Sequence, residues 1–469
     1  MKKIYTFLIS AVALVGFAAC SEGLNEITVN GNETTTEVTL FAEFEDETRM
    51  TLNGNTPEWE AGDVIYINGA EFIAQKAGRA VWFKGSVTED MIGQAYTAYF
   101  GTMDGKVAAE QTAVAGHMSK ETPATAEIAD FQSGMTISFK NAAALLQFTP
   151  SFSGDVIFNV VDGETVTLKG CEAGNTYYAA VTPATWSNGI EVTTNNGIIC
   201  KEGAVGQVIE RNKIYPLGAI DRKVAPFKII GSHNGWSFDN CEVMYETENY
   251  YVAPNFKMDK GSNEFKFISA SATVWTDIVE SYGSESTSTS TSTLPSTAGN
   301  AYRILKNSNK NILAVDGTYD IYMSKEKFFY FIMPAGAAIA DNTIKLDSWG
   351  IVGTISGEVW GADVPLYVCG KFVAVRGIQP APGYDSFSFC LRKDYAWVSK
   401  IGTSTTENYP INEVIPLDGL NDVVYKGIDT SKQYDVYTNF SNVKLVDSGS
   451  DIPASLNLDN GSDTPASLN

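Results

Sequence analysis

Histidine is almost missing from this 469-residue chain: His117 and His233 are the only two, and they fall in different predicted domains. That excludes a metal cluster built on histidine, the commonest zinc ligand beside cysteine. Basic residues are short as well, 33 against 55 acidic ones, for a net charge of -22. Such a surface repels phosphate backbones and anionic head groups, so nucleic acid is excluded as a partner. Cysteine occurs six times and no apolar run reaches the roughly 20 residues of a membrane-spanning helix. No G-x-S-x-G, H-E-x-x-H, phosphate-loop or dinucleotide fingerprint occurs. Among the 55 acidic residues nothing selects the paired carboxylates of a glycosidase. No enzyme, metal or cofactor is therefore expected.

The first twenty residues are the most informative ones present. Lys2 and Lys3, the apolar run Ile4 to Phe17, and Phe17-Ala18-Ala19-Cys20 follow the grammar of bacterial export. A cysteine at the cut makes the leader that of a lipoprotein, with Cys20 as the acylated first residue of a mature chain tethered to an envelope membrane. Ser21 to Glu37 is polar and aperiodic and reads as a flexible tether.

The remaining roughly 450 residues suggest about three domains. Aromatics at 12%, frequent Val, Ile and Thr, and 41 Gly favour strands and turns. The fold class expected is all-β, a chain of β-sandwiches. Val38–Phe44 alternates as a half-buried strand does. Strand-like runs follow at Val64–Ile67, Ala80–Phe83, Met135–Phe139, Ala144–Phe148, Val156–Val160, Tyr177–Val181 and Lys213–Leu217. No amphipathic helix stands out among them. Beyond Cys20, five cysteines remain: Cys171, Cys200, Cys241, Cys369 and Cys390. Cys171 with Cys200 and Cys369 with Cys390 are possible bridges, and buried free thiols are the alternative.

Residues 38–220 resemble the fimbrillin-like proteins of the Bacteroidetes. The resemblance rests on Thr48-Arg49, Trp59-Glu60-Ala61-Gly62-Asp63-Val64-Ile65, Phe139-Lys140-Asn141, Leu145-Leu146-Gln147-Phe148, Tyr177 to Pro183 and Asn212 to Gly218. It implies two β-sandwich subdomains meeting near residues 135–145. It also makes Arg49 a possible processing site, against a plain surface arginine in a turn. Trp59 reads as packing.

After Asp221 to Pro226 the sequence repeats itself. Gly231 with Gly353, Phe265-Lys266-Phe267 with Phe387-Ser388-Phe389, and Trp275 with Trp397 share one offset of 122 positions. Tyr319-Asp320-Ile321-Tyr322 then matches Tyr434-Asp435-Val436-Tyr437 at 115, the Ser/Thr-rich insert Ser284–Ser296 accounting for the shift. Two modules are expected, at 227–336 and 346–447, each with its Tyr-Asp-x-Tyr on the final strand, followed by a disordered tail from 448 to 469.

In Glu264-Phe265-Lys266-Phe267 alternation turns the two phenylalanines to the core and Lys266 to the other face. Asn234-Gly235 is a turn signal that projects Trp236, and Trp275 lies in the loop after the strand. Indoles stack on the apolar faces of pyranose rings, with hydroxyls hydrogen-bonded around the rim. Here the sequence is similar to immunoglobulin-like starch- and glycogen-binding modules and to the C-terminal modules of the SusE/SusF outer-membrane lipoproteins. The resemblance implies glucan contacts from Trp236, Lys266 and Trp275. In the second copy Trp360 and Trp397 remain, Ser388 takes the lysine position, and Arg392 or Lys393 is the candidate replacement donor. The expectation is an outer-membrane surface lipoprotein that holds polysaccharide, starch-like or other, for a neighbouring transporter or glycosidase. The alternative is an adhesin or accessory pilus component whose partners are pilus subunits.

Overall fold

The computed structural model describes residues 35–44, 58–161, 163–259, 263–285, 300–314 and 316–457. Cys20, Arg49, the leader and nearly all of the Ser/Thr-rich insert lie outside the described residues. The protein is all-β, and the only helical turns among the described residues are three-residue 3-10 turns such as Glu89–Met91.

The first strands curl into a closed barrel. Thr35–Phe44 pairs antiparallel with Ala80–Thr88 and parallel with Thr136–Asn141, and the parallel pairing closes the ring. Alternation decides the inside: Val38, Leu40 and Ala42 are wholly buried. Trp59 plugs one end of this core, stacked on Phe44 at 4.5 Å and edge-on to Phe83, Phe100 and Phe139. A second unit sets the sheet containing Gly154–Val160 and Thr165–Cys171 against the sheet of Tyr177–Val181, Ala144–Pro150 and Ile214–Ile220. Phe148, Phe158, Leu168 and Trp186 fill the space between them. Each of the eight strand-like runs coincides with a strand or lies within a residue of one.

From Val224 onward one pairing scheme is laid down twice. Val224–Gly231 pairs with Asn263–Ser269, and Lys345–Gly353 pairs with Ser386–Lys393. Tyr250–Met258 pairs with Gly317–Ser324, and Phe372–Ile378 pairs with Tyr434–Thr438. The Tyr-Asp-x-Tyr strands are thus penultimate, not final: Phe329–Pro334 and Asn442–Asp447 follow them as hairpin partners. Both aspartates are wholly buried. Asp320 accepts from the N–H of Asn255 at 2.7 Å and Asp435 from that of Gly377 at 2.8 Å. Asn255 and Gly377 are the left-handed residues of equivalent bulges, with φ of 56° and 68°. A buried carboxylate satisfies an amide that the bulge removes from the ladder.

The neighbouring units are tied by specific contacts. The Arg222 guanidinium lies 4.8 Å from the Phe152 ring centre and 5.5 Å from that of Tyr245, which belong to consecutive units. Between the two repeats, Asn300 and Ala301 pair in parallel with Lys345 and Leu346. Tyr250 Oη donates to the Gly370 carbonyl at 2.7 Å. The Glu285 carboxylate accepts from Arg303, Lys393 and the Trp349 indole N–H.

The disulfide alternative falls away, since Cys171, Cys200, Cys241, Cys369 and Cys390 are all free thiols. The disordered tail is corrected in part. Residues 448–457 form no strand, yet Leu456 is wholly buried against Cys369, Phe372 and Tyr437. Burial of that one leucine contributes on the order of 2 kcal/mol towards holding the segment against the module. Residues 458–469 lie outside the described residues.

Candidate functional site: two tryptophan pairs

Gly231 ends its strand with φ near 180° and passes so close to the next strand that a Cβ there would lie 2.2 Å from the Glu264 carbonyl oxygen. The chain then turns over Ser232–Asn234, pinned by the Asn234 side chain. Its Oδ1 accepts from the N–H of Trp236 at 3.1 Å, and its Nδ2 donates to the carbonyls of Ser237 and Asn240. Trp236 is left-handed, φ 61°, with its N–H donating to the Gly231 carbonyl at 2.8 Å. A bulky residue held in this region is strained by about 1 kcal/mol or more, and such strain concentrates at working sites.

The loop after Asn263–Ser269 brings Trp275 beside it. The two ring centres are 6.2 Å apart and the planes differ by 38°. Trp275 is 53% exposed and Trp236 half-buried. Phe238 meets Trp275 edge-on at 5.2 Å. Lys228 in turn lies 5.7 Å from the Phe238 ring centre and donates to the Ala272 carbonyl. Neither Phe238 nor Lys228 stood out in the sequence, because a loop phenylalanine and a strand lysine carry no signal alone.

The second module repeats the pair. Trp360 and Trp397 stand 6.2 Å apart at 40°, and Trp397 is 52% exposed. Trp360 is left-handed, φ 53°, and donates its N–H to the Gly353 carbonyl at 2.8 Å. A Cβ on Gly353 would lie 2.2 Å from the Ser388 carbonyl oxygen. Gly231 faces Phe265 and Gly353 faces Phe389, which equates Glu264 with Ser388 and Lys266 with Cys390. The expected match of Lys266 with Ser388 is thus two residues out of register. An even slip keeps every side chain on its own face, so alternation could not expose it.

Lys266 and Arg392 do not sit as free rim donors. Lys266 Nζ donates to the Ser308 carbonyl at 2.7 Å, and burial pushes its pKa down. Arg392 is only 4% exposed. Its Nε donates to Asp363 at 2.8 Å, its guanidinium lies 4.5 Å from the Trp397 ring centre, and Nη2 reaches the Gly361 carbonyl at 3.3 Å. Lys393 is spent on Glu285 at 3.0 Å. The site that results is an open platform of two tilted indoles, made twice. Clefts of about 390 Å³ and 360 Å³ lie elsewhere, beside Arg303 and Phe440 and beside Asn196 and Tyr250. Among the described residues no group of acidic, histidine or cysteine side chains is arranged to hold a metal ion.

No family model matches the chain, and no curated protein matches it. Two solved structures from Bacteroides are similar to parts of it. One is a candidate cell adhesion protein from Bacteroides uniformis, 17% identical with a TM-score of 0.24, the match covering 39% of this chain and 92% of that one. The other is a fimbrial protein from Bacteroides ovatus, 14% identical with a TM-score of 0.24, covering 47% of this chain and 57% of that one.

Proposed function

We propose that this chain is a non-catalytic cell-surface protein whose two C-terminal modules hold glycan on paired tryptophans. The observation that carries the reading is the repetition of one geometry, 6.2 Å and about 40°, on two loops whose sequences differ. Core tryptophans are explained by packing; two outer indoles each about half exposed are not. Apolar sugar faces stack on such rings, and hydroxyls at the edge remain solvated or bond to the polar rim. Rings inclined at about 40° suit a chain that turns from one sugar to the next, as an α-glucan does, better than a flat ribbon. An open platform buries modest area, so one module binds in the roughly micromolar to millimolar range, with avidity when both engage one chain.

In this reading Cys20 carries the lipid anchor in the outer membrane, and the bound polysaccharide is held for a neighbouring transporter or glycosidase. A second reading is an adhesin or accessory pilus subunit, towards which the names of the similar structures point. It shares the surface and the lack of catalysis and differs in the partner. Retardation in native gels containing soluble starch or other glycans supports the first. Cleavage after Arg49 with formation of strand-exchanged oligomers supports the second.

A further inference from the structure

We infer that Arg392 is a positioning residue that sets the two indoles of the second platform relative to each other; the inference rests on the glycan reading above. The guanidinium touches both halves of the site. Its Cζ lies over the Trp397 ring, 4.5 Å from the ring centre, and its Nη2 donates to the carbonyl of Gly361, the residue that follows Trp360. Asp363, two residues further along the same loop, fixes it through contacts of 2.6 Å and 2.8 Å. One buried ion pair thereby spans from the loop of Trp360 to the strand of Trp397. Planarity is what permits this: an arginine can stack by its face and donate by its rim at once, and a lysine cannot.

The first module has no counterpart. Its outer tryptophan leans on the Phe238 ring instead, backed by Lys228. The two modules therefore reach one indole geometry by different supports. The arginine support is the stiffer, because buried charged hydrogen bonds allow fewer orientations than an edge-on ring contact. A platform held in its bound arrangement loses less freedom on binding.

The test uses the full chain carrying Trp236→Ala and Trp275→Ala, so that only the second platform can bind, with soluble starch as probe. Arg392→Lys keeps the charge and loses the fork. Arg392→Met paired with Asp363→Leu removes both charges and avoids a buried carboxylate without a partner. The expected result is a loss of about tenfold in affinity for both variants, with melting of the double replacement close to the parent's. The circular-dichroism couplet of the Trp360–Trp397 pair should weaken in both without ligand. Folded variants that keep the parent's affinity and couplet overturn the inference. A parent that binds no glycan sinks the glycan reading instead, and the couplet then still decides whether Arg392 sets the ring geometry.

Discussion

The backbone N–H of Trp236 donates to the carbonyl of Gly231 at 2.8 Å, and the loop between them forces the tryptophan into the left-handed region. Trp360 and Gly353 stand in the same relation although two more residues separate them. A closed loop anchored on a tight strand contact is what presents the inner indole. The glycine is needed for space, since its extended φ suits any residue.

Gly231→Ala would press a methyl group against the Glu264 carbonyl at 2.2 Å and the Phe265 Cβ at 2.8 Å. The cost should be about 3 kcal/mol, as for overpacked cores. Urea unfolding followed by tryptophan fluorescence measures it, and Gly353→Ala should behave alike in the second module.

Trp275→Ala removes a ring that is 53% exposed and meets the rings of Trp236 and Phe238. Stability should change by less than about 1 kcal/mol, whereas glycan affinity of the first module should fall by about 1 kcal/mol or more. Calorimetric titration with soluble starch and thermal melting separate the two effects.

Asp320→Ala leaves the N–H groups of Asn255 and Gly336 and the Asn196 amide without their acceptor. Losing three part-buried hydrogen bonds to one buried carboxylate should destabilise the first module by about 3 kcal/mol. Hydrogen exchange at Asn255 and Gly336 should accelerate first.

Burial holds the His233 imidazole below its usual 6.5, with its ring edge-on to Phe256 at 4.6 Å. As pH falls through about 6.5 the unfolded chain takes up a proton that the folded module refuses until lower pH, so stability is lost on acidification. Melting temperatures between about pH 7.5 and pH 5.5 should drop less for His233→Gln than for the natural chain.

Much of this architecture is written in local pattern. Short apolar runs such as Tyr177–Val181 marked strands at their observed bounds, and the spacing of glycine and tryptophan brought out both tryptophan pairs. What the pattern hides is anything set by distant pairing. Closure of the barrel depends on Phe41 meeting Thr136, and no local signal announces a parallel partner so far along the chain. The slip that matched Lys266 with Ser388 preserves both faces and is invisible to periodicity. Arg392 looks like a surface donor until Asp363, from another strand connection, is seen to bury it. Leu456 sits in a polar tail whose composition conceals its one anchor.

The most direct test of the central claim is native-gel retardation of the full chain in soluble starch and a panel of other glycans, beside a Trp275→Ala/Trp397→Ala variant that melts like the natural protein. The natural chain should be slowed by at least one glycan and the variant should run free. Equal retardation of the two, or none for the natural chain across the panel, would contradict it.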